Sequence, residues 1–503
     1  MATGRGARIG LAGAVALAVA CREGAPRAAP PPRPERAGPG WRLRGAELEV
    51  LEAGVRVVMP TAWRVLTPQQ THAYTSDGVV LAAGDPADPA VYLTIAGRPI
   101  GAARPVLAVA TLAAQLLDEE APLGPATTAV IGGQRFTVLR TALQGELHDH
   151  AFAHVAGRYV AITLATTAAF TGAARPALEA VLAGTVFLDA AAIDALAADL
   201  RARPSLQDEW GPDYADHGER FRDFVGGWTW RHPPGVWRVE GATASPDDPA
   251  RLEAREVVTG TGLRVSREPW SASVEAYLDG YAGPEDQIVA VGPATLAGHP
   301  GRFVEIVAPE GLAWLSLQSR TTAAVIDGHV LALQVANRAS AWPGDAWVDA
   351  ATAALALEPA MVEVDAGPPY RNWRYGVVVD LPRSFVRQPT PATPATVLAE
   401  QWRQGSTRVD LEVFSLDSTQ GDIADPVARY LSAWPGLRRR GPPARSRVTI
   451  DGWPAIRLAW RAQGAVVEAT LVERIDTVVE LTIQGAAQPG VRVVGSDVLR
   501  FLR

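Results

Sequence analysis

A chain of 503 residues outgrows a single hydrophobic core, so several domains are expected. Hydrophobic residues make up 48% and charged residues 20%, the balance of a globular protein rather than a disordered one. The net charge is −7, with every one of the 47 basic residues an arginine, and this excludes the basic footprint of a nucleic-acid binder.

The first twenty residues carry Arg5 and Arg8, followed by an apolar run from Ile9 to Ala20. This is the n-region and h-region of a secretory signal. The run is too short to span a bilayer, which needs about 20 residues. Leu17, Ala18, Val19 and Ala20 lead into Cys21, the only cysteine of the chain. That cysteine has no internal partner, so each domain must stand on its own core without a disulfide.

The arrangement around Cys21 resembles the bacterial lipoprotein signal. The resemblance implies cleavage before Cys21 and acyl chains on it, each buried methylene contributing about 0.8 kcal/mol to membrane binding. The family's leucine three places before the cysteine is Ala18 here, with Leu17 one place further back. Arg22, in place of an aspartate, implies sorting to the outer membrane. Pro30 to Pro32 and Pro34 follow, with few apolar side chains, so residues 21–45 are expected to form an extended tether. The expected location is the cell envelope, after export, with acyl-Cys21 in the membrane.

The rest of the chain repeats one pattern three times. It opens with a short strand, then a proline and a bulky aromatic three places on: Pro60 and Trp63, Pro234 and Trp237, Pro382 and Phe385. A second strand follows as VYLTIAG, GLRVSRE or TRVDLEVFSL. In the third copy Val409, Leu411 and Val413 alternate with charged residues, the period of a half-buried strand. A helix is expected next, in PVLAVATLAAQLLDEE, ASVEAYLDGYAG and DPVARYLSAWPG. Hairpins then turn at Gly133, Gly298 and Gly452, where glycine suits a positive φ. A further hairpin brings in Val160, Ile162 and Leu164, or Leu331, Leu333 and Val335, or Val479, Leu481 and Ile483. Each copy ends in an expected helix: PALEAVLAGTVFL, DAWVDAATAALAL or SDVLRFL.

The expected fold class is therefore α+β, three tandem repeats, each an antiparallel sheet covered by helices. The expected boundaries are a signal peptide at 1–20, a tether at 21–45, and domains at 46–190, 224–358 and 370–503. A helical and acidic connector at 191–223 and a short linker at 359–369 join the domains. The order of landmarks resembles the PsbP-like superfamily, which includes the photosystem II extrinsic P subunit and small bacterial lipoproteins of the DcrB and LpqN types. The resemblance covers about 50–190, 224–358 and 370–503. It implies binding, assembly or envelope roles, since that fold carries no shared catalytic residues.

The candidate metal site is ELHDHAFAH. Glu146, His148, His150 and His154 share one face of a predicted strand, and such a set can hold Zn²⁺. Against this, His150 and His154 lie about 13 Å apart along a strand, and the other copies have no histidine there. Trp228, Trp230 and Trp237, with Tyr214 and Trp210, read as core aromatics before they read as a ligand platform. Arg438 to Arg440 read as a solvated loop, and Asp118 to Glu120 lack any second feature for acid–base work. No nucleophile elbow, Walker loop or dinucleotide fingerprint is present, so no catalytic residue and no cofactor is expected.

The expected function is a non-enzymatic, lipid-anchored binding or assembly scaffold. Its partners would be the membrane, through Cys21, and another envelope protein, with no nucleic acid. The alternatives are a metal or small-ligand sensor and an enzyme with an unrecognised site.

Overall fold

The computed structural model describes residues 36–60, 63–65, 79–85, 88–99, 121–143, 146–167, 180–203, 208–211, 213–233, 235–241, 250–308, 316–358, 361–390, 396–415, 443–462, 465–474, 477–486 and 496–502. The signal region, Cys21 and the tether to residue 35 lie outside the described residues. So do Pro234, the expected helices at 105–120 and 425–436, the acids at 118–120 and the arginines at 438–440.

Each repeat builds two antiparallel sheets that share a core. In the first, a small sheet runs Arg36–Gly38, Trp41–Arg44, Glu47–Val50 and Val55–Val58, and Val186–Phe187 closes it. The large sheet runs Arg64–Val65, Val79–Asp85, Asp88–Pro99, Arg158–Thr167, Glu146–Val155 and Gln134–Leu143, with Ala121–Pro122 and Thr127–Ile131 on the last. In the second repeat Asp208–Trp210, Tyr214–His217, Arg220–Asp223 and Trp228–Arg231 form the small sheet, closed by Leu355–Leu357. In the third it is Val364–Asp365, Tyr370–Asn372 and Val377–Val379, closed by Leu499–Phe501.

The large sheets of the second and third repeats keep the same order, the third strand pairing the seventh across the middle. Those central pairs set the register. Ile95 faces Ile162, Val265 faces Leu333, and Leu411 faces Leu481. All six are at most 1% exposed. Burying each such side chain contributes roughly 1.5–3 kcal/mol, and a one-residue slip would turn them all to the wrong face.

The expected α+β class is corrected by this arrangement. The described elements are mostly antiparallel strands, and the core face of each large sheet is covered by a second sheet. Among the described residues, helical backbone occurs at 180–183 and in α1 (Ala190–Ala202), α2 (Val274–Leu278) and α3 (Asp345–Ala353). Of the expected closing helices, the second copy's forms as α3 and residues 180–183 are helical in the first; the apolar cluster that ends each closing segment is a short strand paired with the opening meander. Backbone pairing decides this: an apolar triplet such as Leu355–Leu357 has no local period, and the open edge of the small sheet recruits it. No helix of the described residues is long and apolar enough to cross a membrane.

The boundaries move accordingly. Residues 36–44, expected in the tether, are strands of the first small sheet, with Trp41 and Leu43 buried. The connector is α1 alone, because 208–223 belong to the second small sheet, and Val364–Asp365 of the expected linker belongs to the third. Each small sheet opens on Gly-Pro-x-aromatic, at 38–41, 211–214 and 367–370. It seats Trp41, Tyr214 and Tyr370, all buried.

The hairpin landmarks have a definite geometry. Gly133, Gly298 and Gly452 have φ of 77°, 81° and 91°, and Gly132, Ala297 and Asp451 before them have 54°, 50° and 49°. Two successive positive φ values make a type I′ turn, whose twist matches the strands it joins. At the opening landmark, the backbone N–H of Trp63 donates to Pro60 O at 3.0 Å, and that of Phe385 to Pro382 O at 3.0 Å. In the second copy the Trp237 indole donates to Pro233 O at 2.9 Å. The aromatics are buried, so the turn delivers a side chain to the core each time.

Candidate functional site

The histidine strand, Glu146–Val155, lies inside the first large sheet, between Gln134–Leu143 and Arg158–Thr167. His148 and His150 are buried, and their rings meet edge to face at 5.5 Å. His150 continues into a stack on Phe152 at 5.7 Å. Its ring nitrogens sit 3.0 Å from Thr141 Oγ1 and 2.9 Å from Thr163 Oγ1, so hydroxyls on both neighbouring strands engage it. An imidazole with both nitrogens engaged by hydroxyls is a satisfied core group. His154, opposite Tyr159, lies further along the strand and is half-buried. Among the described residues no three or more His, Cys, Asp and Glu side chains come together in a metal-holding group.

The aromatic cluster of the second repeat is core. Trp228 and Trp230 are fully buried. Tyr214, Phe221 and Trp228 stack in series at 5.6 and 5.3 Å, and Trp230 meets Trp237 edge-on at 4.9 Å.

A cavity of about 450 Å³ opens where the first repeat, the end of α1 and the second repeat meet. Sequence reasoning did not find it, because its walls come from three separated segments. Gly38 and Pro39 come from the first small sheet, Arg201 and Arg203 from the end of α1, and Glu219, Arg231, His232 and Trp237 from the second repeat. The apolar face of α1 fixes this meeting point: Ile193, Leu196 and Leu200 pack with Leu51 on one side and with Val236 and Val257 on the other. Asp189 caps the helix, accepting from the Ala192 N–H at 2.8 Å. His232 is part of this wall, its Nε2 3.1 Å from Oδ2 of the fully buried Asp216 and its ring 4.7 Å from Trp230.

Charged contacts hold the repeats to one another. Arg42 donates to Glu49 on its own sheet at 2.8 Å and to Asp199 of α1 at 2.5 Å. Burial pushes the Asp199 carboxyl up, but hydrogen bonds from Arg42 and Arg203 outweigh it and hold the group below its ordinary value. Arg238 of the second repeat forms a close ion pair with Glu52 of the first, which is 1% exposed. Between the second and third repeats, Arg474 donates to Tyr375 O at 2.6 Å and to His217 Nδ1 at 3.1 Å. His217 Nε2 donates in turn to Arg374 O at 2.7 Å. The Arg474 guanidinium also lies over the rings of Phe501 and Trp453 at 4.8 and 5.3 Å.

No family model matches the chain. No curated protein matches it either. Among solved structures, the chain is similar to the solution structure of cyanobacterial PsbP from Synechocystis sp. PCC 6803. The identity is 9%, over 27% of this chain and 91% of that chain, with a TM-score of 0.22. It is also similar to the immunity protein TplEi of the T6SS from Pseudomonas aeruginosa, complexed with "L" peptide. There the identity is 10%, over 59% of this chain and 99% of that chain, with a TM-score of 0.16.

Proposed function

We propose that the protein is an exported, non-enzymatic envelope lipoprotein of PsbP-like repeats, anchored through acyl-Cys21 in the outer membrane. It acts as a binding or assembly scaffold for another envelope protein. The observation that carries the scaffold reading is the edge strand Gln287–Leu296, the last strand of the second large sheet. It exposes Ile288, Val289 and Val291 at 54%, 49% and 55%. The free backbone groups of an edge strand pair readily with another strand; here a bulge between Ile288 and Ala290, and Pro293, shorten the stretch open to pairing, while no charged side chain stands between Gln287 and Leu296. An extended segment of a partner would add to the edge by main-chain hydrogen bonds and rest on these apolar side chains. The contacts between repeats support the same reading, since they keep three like units in fixed register.

The test is crosslinking and pull-down from native envelopes with tagged full-length protein, beside Cys21→Ala and Val291→Lys variants. One protein enriched by the parent chain, and lost with either substitution, is the expected result. A mature protein that is soluble and unacylated would remove the anchor. A partner retained in full by Val291→Lys would remove the edge strand from the interface.

A further inference from the structure

The cavity between the first and second repeats has the composition of an anion site, and it depends on neither the lipid anchor nor the edge strand. We propose that it binds a phosphate-bearing ligand. Its volume, about 450 Å³, falls within the roughly 300–1,000 Å³ of small-molecule sites. Three arginines, Arg201, Arg203 and Arg231, are among its lining residues, with one acid, Glu219, and His232. Guanidinium suits phosphate because its planar fork gives two parallel N–H donors.

Glu256 forms a loose ion pair with Arg201 at 3.9 Å. Its oxygens already accept from the backbone N–H groups of Val236, Val258 and Thr259, at 3.1, 3.0 and 2.7 Å, and from the Thr259 hydroxyl at 2.9 Å. Arg203 is tied to Asp199 at 3.0 Å. Arg231 is exposed and forms no ion pair among the described residues. Pro233, Val236 and Trp237 give the cavity an apolar floor that a carbon skeleton esterified to the phosphate would cover. A phospholipid headgroup and a soluble phosphomonoester share this chemistry.

The two sources separate in one set of measurements on the full chain carrying Cys21→Ala, so that no anchor drives association. Glycerol 3-phosphate is titrated by calorimetry, and vesicles of phosphatidylglycerol are used in flotation. Binding in either arm, weakened at least tenfold by Arg201→Gln with Arg231→Gln and unaffected by Arg461→Gln on the distant third repeat, is the expected result. Binding of the soluble ester assigns a soluble ligand, and Arg-dependent flotation alone assigns a headgroup. The double variant's melting temperature should match the parent's, which separates lost binding from lost folding. No binding in either arm, or binding that the double variant retains, overturns the site.

Discussion

Single side chains carry the joints of this molecule. Glu52 is a buried carboxylate whose close partner, Arg238, sits 186 residues further along. Removing one member of such a pair leaves the other charge poorly compensated, which costs about 3–5 kcal/mol, whereas replacing both costs less. Glu52→Gln should therefore lower the urea midpoint markedly, and Glu52→Gln with Arg238→Met should recover part of the loss. Equal losses for the single and double variants would show that the pair contributes no coupling. At the other joint, Gly376 has φ of 61°, and a Cβ there would lie 2.7 Å from the His217 ring. Left-handed backbone costs an ordinary residue about 1–2 kcal/mol, before the clash is counted. Gly376→Ala should split one unfolding transition into two, read by calorimetry, as the third repeat loosens from the second.

Asp199 gives a residue-scale prediction with a sign. Its carboxyl titrates below its ordinary value in the folded chain, so the folded state binds that proton less readily than the unfolded state does. Its contribution is full above the unfolded carboxylate range, near pH 3.9, and is lost as pH falls through the lower folded value. Asp199→Asn should flatten the fall in stability below about pH 4 and reduce stability at neutral pH. An acid limb unchanged by the substitution would count against the Arg42–Asp199 contact.

At the scale of elements, the closing strands are the main departure from a helical expectation. Leu499–Phe501 pairs with Val377–Val379, and Leu499 and Phe501 are buried, as is Val498 beside them. Asp451 accepts from the Phe501 N–H at 2.8 Å and ties the strand to the type I′ turn. Deleting residues 496–503 removes those three side chains and should cost roughly 5–9 kcal/mol, at about 1.5–3 kcal/mol each. The measurement is urea unfolding followed by tryptophan fluorescence, since Trp453 lies in the same core. A final segment with no effect on stability would mean that the third small sheet holds without its closing strand.

At the scale of the whole molecule, the three repeats are bound through α1, the Glu52–Arg238 pair and the Arg474–His217 contact. The binding cavity and the edge strand are features of this assembled chain and do not recur as motifs in each copy. The parent protein should melt as one cooperative unit over the described repeats, and Arg474→Ala should uncouple the third. Two well-separated calorimetric peaks in the parent would contradict that coupling.

The sequence alone determined the threefold repetition, the type I′ glycines and the central strands. These depend on local rules: period-two burial, positive φ and the proline-aromatic turn. It also pointed to the core role of Trp228, Trp230 and Trp237, because aromatics at strand spacing have few other uses in a chain without disulfides. Only the tertiary structure decided that the repeats are pairs of sheets, because a three-residue apolar cluster becomes a strand when an open edge accepts it. It also decided what surrounds His150, since Thr141 and Thr163 reach it only once three strands are in register. The arginine-lined cavity was invisible in the sequence for the same reason: packing of α1 brings Arg201 to the same cavity as Arg231, across thirty residues that carry no local signal of it.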